Sequence, residues 1–110
     1  MDVEDGNNGM LTGGTTYGTG YVGQAFNFDA STNSGVIVPS TPSLNPTDAI
    51  TIDAWVNPSS FPNTGPAVVR KDTNNVGTTQ YSFSVGDGIT AGVLSCNIGG
   101  FASASGIAVA

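Results

Sequence analysis

Gln80-Tyr81-Ser82-Phe83-Ser84-Val85, followed by Asp87-Gly88 and then Leu94-Ser95-Cys96-Asn97-Ile98, is the stretch that decides the fold class. Tyr81, Phe83 and Val85 alternate with polar residues, the period-two pattern of a strand with one apolar face. Asp87-Gly88 predicts a tight turn, because both residues tolerate the positive φ of a hairpin. The expected partner strand spans about 91–98 and puts Leu94, Cys96 and Ile98 on one face.

Outward from this hairpin, Ile50, Ile52, Ala54 and Val56 alternate with Thr51, Asp53, Trp55 and Asn57, which predicts a second amphipathic strand. Shorter strands are expected near 24–28, 36–38 and 66–70, and Ile107-Ala108-Val109 begins another. The six prolines fall between these runs or, as Pro66 does, at a strand end, where a missing N–H costs no central ladder bond. No stretch sustains a 3.6-residue apolar period, and Leu44–Asp48 offers at most one short helical turn. The expectation is one all-β unit over 1–110, an antiparallel β-sandwich or jelly roll, without repeat or linker.

Composition narrows the chemistry. Two basic against eight acidic residues leave a net charge of −6, so nucleic acid is excluded for want of a basic footprint. With 38% hydrophobic and 9% charged residues, the chain is unlike an acidic disordered tail. No apolar run reaches the roughly 20 residues that span a bilayer, so no membrane insertion is expected. Met1–Asp5 lacks the basic and apolar regions of a secretory signal. Cys96 is the sole cysteine, which excludes an internal disulfide, and it reads as a small buried hydrophobe. The absence of histidine excludes His/Cys zinc sites and His-dependent nucleophiles within the chain.

Three stretches resemble the laminin-G-like jelly rolls of the concanavalin A-like lectin/glucanase superfamily. Asp5-Gly6-Asn7-Asn8-Gly9-Met10-Leu11-Thr12-Gly13-Gly14 is similar to that family's Gly-Asn-x-Gly-Thr-Leu segment. Gly23-Gln24-Ala25-Phe26-Asn27-Phe28-Asp29 is similar to its Gly-x-Ala-Phe-x-Phe-Asp-Gly motif. Pro42-Ser43-Leu44-Asn45-Pro46-Thr47, leading into Ile50-Thr51-Ile52-Asp53-Ala54-Trp55-Val56-Asn57-Pro58, resembles its Ser-Leu…Phe-Thr-Ile-x-Ala-Trp-Val core strand. The resemblance covers about residues 5–85, with one departure: Ala30 stands where the family has glycine, so the turn there must differ. It implies a partial, truncated domain, in which the first strand is absent or cut short, later strands are missing and Met1 is an internal methionine. Exposed strand edges are then expected to promote self-association.

The residues that could carry chemistry are few. Glycoside hydrolysis needs two carboxylates, about 5 Å apart for retention or about 6.5–9.5 Å for inversion. The glucanase relatives carry Glu-x-Asp-x-Glu on one strand; here Glu4 is the single glutamate, and Asp53 has Thr51 and Trp55 at its i±2 positions. No catalytic residue is assigned, and the chain is expected not to be an enzyme. The resemblance implies calcium, bound by oxygen ligands, as a structural cofactor, with Asp29, which follows the Phe-x-Phe motif, and Asn33 as its candidate ligands. Asp2, Glu4 and Asp5 form a weaker cluster, as does Asp72-Thr73-Asn74-Asn75, and turn formation competes with metal binding at each of the three. Trp55 is expected inside the domain, leaving Tyr17, Tyr21, Phe61 and Phe101 as aromatics available for stacking on a sugar. Arg70-Lys71-Asp72 reads as a solvated strand edge. The resemblance implies a non-catalytic extracellular or cell-surface binding module whose partner is a glycan or a protein. The alternatives are an adhesion spacer and an accessory part of a glycoside hydrolase.

Overall fold

In a computed structural model, residues 4–60, 66–73, 79–86 and 93–99 are described in full, and 101–108 by their backbone. The chain is all-β, in small antiparallel sheets, and divides into two compact units, Met1–Trp55 and Val56–Ala110. Among the described residues no helix is long and apolar enough to cross a membrane.

In the first unit, β1 (Met10–Thr12) pairs with β4 (Gly35–Ile37), and β2 (Thr16–Thr19) pairs with β3 (Gln24–Asn27). Both pairs are antiparallel. Thr15, one of the few buried residues among those described, ties the first pair to the start of the second. Its Oγ1 lies 2.7 Å from the Thr12 carbonyl and 3.0 Å from the Gly35 carbonyl, while the Gly35 N–H donates to it at 2.8 Å. One hydroxyl thereby serves three backbone groups, and satisfying buried backbone polar groups in this way avoids a desolvation cost. A second knot links residue 7 to the later loop: Thr41 Oγ1 donates to Asn7 Oδ1 at 2.6 Å, and Asn7 Nδ2 donates to Ser43 Oγ at 3.0 Å.

The second unit is a four-stranded meander in the order β5 (Ala67–Asp72), β6 (Thr79–Val85), β7 (Val93–Ile98) and β8 (Phe101–Ala108). The β6–β7 register pairs Tyr81 with Ile98, Phe83 with Cys96 and Val85 with Leu94. Paired residues share a face, so the two apolar rows legible in the sequence meet on one side. Tyr81 and Val85, 8% and 4% exposed, are the buried hydrophobic side chains among the described residues. The 66–70 run does not alternate strictly, and the sheet absorbs this: a register shift between Ala67 and Val69 sets Val69 opposite Phe83.

Several expectations are corrected. Ile50–Val56 joins no sheet: no strand is assigned between residues 38 and 66 within the described residues. Alternation marks which residues share a face but supplies no ladder partner, and a strand is stable only with its backbone groups paired. Burial still alternates at the start, with Ile50 and Ile52 partly buried while Thr51 and Asp53 are exposed. Cys96 is exposed rather than buried: the side chains buried on this face, Tyr81 and Val85, lie at the two ends of the β6 row, and Phe83, opposite Cys96, is itself only half-buried. The last strand begins at Phe101, not near 107, and Gly99 opens the turn before it. The short helical turn lies at Pro42–Leu44 rather than 44–48. The Asp87-Gly88 turn lies outside the described residues.

Two glycines with positive φ separate two costs of substitution. Gly23, at φ 68°, has open space where a Cβ would stand, whereas at Gly13, φ 58°, that Cβ would run into the Thr32 and Asn33 carbonyl oxygens. Gly23→Ala is therefore expected to lose only the left-handed penalty of about 1–2 kcal/mol. Gly13→Ala must also displace backbone, so its Tm should fall further; equal losses in thermal melts would contradict the contact.

Candidate functional site

Aromatic rings collect on the surface of the first unit in two groups. The β2–β3 register sets Tyr17 opposite Phe26, and their ring centroids lie 5.4 Å apart at 36°. Phe28, two residues on from Phe26, stands 6.0 Å from it at 40°. All three are exposed. Both spacings lie within the range of favourable tilted aromatic contacts, so the rings hold one another in place although water reaches them. The second group joins Tyr21, in the β2–β3 loop, to Trp55, with centroids 4.5 Å apart and planes 33° apart. Tyr21 is 80% and Trp55 77% exposed. Trp55, Asp53 and Ala54 line an open depression of about 260 Å³.

The exposure of Trp55 corrects the expectation that it is buried. Its segment enters no sheet, so no second layer covers the indole, and Tyr21 shields one part of it. Of the aromatics expected at the surface, Tyr17 and Tyr21 are exposed, each with a ring partner. Phe61 lies outside the described residues, and Phe101 begins β8, its side chain undescribed. Sequence reasoning missed Phe26 and Phe28 as surface groups. The signal lay in Gly20 and Gly23, which bracket a loop closed by Gly20 N–H donating to the Gly23 carbonyl at 2.9 Å. That loop makes 16–27 a hairpin, and the hairpin sets Tyr17 against Phe26.

Asp29 and Asn33, the expected metal ligands, bracket a 3-10 turn at Ala30–Thr32. Asp29 caps its start: Oδ1 accepts from Ser31 Oγ at 2.7 Å and from the Ser31 N–H at 2.9 Å. The Asp29 carbonyl accepts from Thr32 Oγ1 at 3.1 Å and Ser34 Oγ at 2.8 Å. Asn33 closes the turn in the left-handed region at φ 50°, a conformation that asparagine tolerates better than most residues. Ala30 thus takes helical backbone, and the left-handed step moves to Asn33, which is how the turn differs from a Phe-Asp-Gly turn. Calcium takes six to eight oxygens. Among the described residues no three Asp, Glu, Cys or His groups gather as a ligand set, so this turn offers one carboxylate. At the other cluster, Asp72 Oδ1 accepts from Arg70 Nε at 2.8 Å, an exposed pair on β5, and Lys71 Nζ donates to the Asp72 carbonyl at 3.2 Å. Asp2, Asn74 and Asn75 lie outside the described residues, and Glu4 and Asp5 are exposed.

No protein-family model, curated protein or solved structure matches the chain.

The Ser31 hydroxyl, and then its N–H, hold the Asp29 carboxyl below the ordinary aspartate range, with desolvation opposing weakly. Because the folded-state value is depressed, the capping contribution is complete above the unfolded-state pKa. It is lost as pH falls through the folded value. Ser31→Ala should raise the Asp29 pKa toward that of a free side chain, as read by NMR titration of its carboxyl carbon. An unchanged pKa would show that the hydroxyl does not set it.

Proposed function

We propose that the chain is a non-catalytic binding module of a larger secreted or cell-surface protein, and that its ligand is a glycan. The observation that carries this reading is Trp55, exposed beside Tyr21 and sharing its depression with the Asp53 carboxylate. A sugar has an apolar C–H face and a rim of hydroxyls. An exposed indole offers the first a flat apolar partner, and a neighbouring carboxylate accepts strong hydrogen bonds from the second. Among the described residues the depression carries one carboxylate, that of Asp53, and glycoside hydrolysis uses two, which favours holding a sugar over cleaving it. The antiparallel strands and the first two motifs support a laminin-G-like jelly roll as the parent architecture, while Ile50–Val56 does not form the core strand that the third motif implies. A fold of that kind hosts many functions, so the site and not the fold bears the reading.

Calcium enters this reading as structural support at Asp29 and Asn33. With one carboxylate at the turn, water would complete most of the coordination shell, and affinity would fall near the weak end for extracellular modules, on the order of 10⁻⁴–10⁻³ M.

Trp55 is the sole tryptophan, so its emission reports the site directly. Titration with a bound sugar should shift or quench it, and Trp55→Ala should weaken binding on a glycan array by about tenfold or more. No binding across a broad array, together with self-association in sedimentation, would favour the adhesion spacer instead. Removing divalent ions with EDTA should lower the Tm if calcium supports the turn; an unchanged Tm rejects that role.

A further inference from the structure

The β2–β3 hairpin carries a second surface whose composition fits a ligand longer than one sugar. Its register places Tyr17, Thr19, Gln24 and Phe26 on one face, and Phe28 extends that face by one more step of two. The opposite face carries Thr16, Gly18, Ala25 and Asn27, with no ring. Beside the Tyr17–Phe26 aromatic pair lies the Thr19–Gln24 pair, and among the described residues neither polar side chain has a hydrogen-bond partner. Rings and free hydrogen-bonding groups therefore alternate on one exposed surface. A hydrocarbon ligand would leave Thr19 and Gln24 unpaired and desolvated, at a cost. A ligand that is apolar on its faces and hydroxylated on its edges satisfies both rows.

Charge narrows the ligand further. Residues 1–55 contain no lysine or arginine but include Asp29, Asp48 and Asp53, together with the acids of the first five positions. Sulfated or uronate chains would meet repulsion there and find no cation to pair with. Size narrows it again. The rings step across from β2 to β3 and then along β3, 5.4 Å and then 6.0 Å between centroids, farther than one sugar ring covers. Resting on the glycan reading above, we infer that this hairpin face binds an uncharged polysaccharide chain, with Tyr17, Phe26 and Phe28 stacking on successive sugars and Thr19 and Gln24 bonding their hydroxyls.

The test uses the full chain in affinity electrophoresis through gels holding neutral polymers (hydroxyethyl cellulose, glucomannan, galactomannan) or acidic ones (polygalacturonate, heparin). Retardation by a neutral polymer and not by the acidic ones is expected. Phe26→Leu, which keeps apolar bulk but removes the ring, should weaken polymer binding about tenfold. Gln24→Ala should weaken it as well, Phe26→Tyr should restore it, and monosaccharide titration of Trp55 emission should stay unchanged in all three. Should Phe26→Leu fail to fold, Gln24→Ala and Phe26→Tyr decide the matter. Polymer binding indifferent to Phe26→Leu and Gln24→Ala, or a preference for acidic chains, overturns the inference and leaves the Trp55 reading standing. A chain that binds neither monosaccharide nor polymer sinks both.

Discussion

Antiparallel backbone pairing is the constraint on which each unit of this chain depends. Only Tyr81 and Val85 are buried hydrophobic side chains among the described residues, so burial alone does not hold the strands. In the second unit, β6 pairs on both sides, and the residues it buries lie along that doubly paired strand. In the first unit the pairs are two strands wide, a width that is marginal in water without further support. The Thr15 hydroxyl gives some of that support by serving the Thr12 and Gly35 backbones at once. Side chains that complete backbone hydrogen bonding do here what a large core does elsewhere.

That economy has a consequence at the surface. A narrow sheet has two faces and little to cover them, so rings that a sandwich would enclose stay in water on the β2–β3 hairpin. They lower their exposure by meeting one another, Tyr17 with Phe26, Phe26 with Phe28, and Tyr21 with Trp55. An exposed ring fixed by a neighbour loses little conformational entropy when a flat ligand lies against it. The same geometry that leaves apolar area unburied therefore pre-organises it for contact.

Legibility varied with the kind of signal. The Tyr81-x-Phe83-x-Val85 and Leu94-x-Cys96-x-Ile98 rows were readable because a hairpin pairs near neighbours, and its register follows from local alternation. Ile50–Val56 alternates as clearly and yet forms no strand, since alternation marks a face and supplies no ladder partner. Trp55 was misread for the same reason: burial is a property of what lies over a residue, and alternation names the face but not the cover. Ala30 was readable as a departure, but not the way in which Asn33 takes the left-handed step.

By itself, the sequence determined the all-β class, the scarcity of cations, the lack of a histidine-based site and the main hairpin, because composition and short-range periodicity are local properties. Only the tertiary structure decided that Tyr17, Phe26 and Phe28 share a surface with Thr19 and Gln24, and that Tyr21 meets Trp55 beside Asp53. Those residues lie apart along the chain. Which of them become neighbours depends on cross-strand register and loop closure, and a count of apolar positions contains neither.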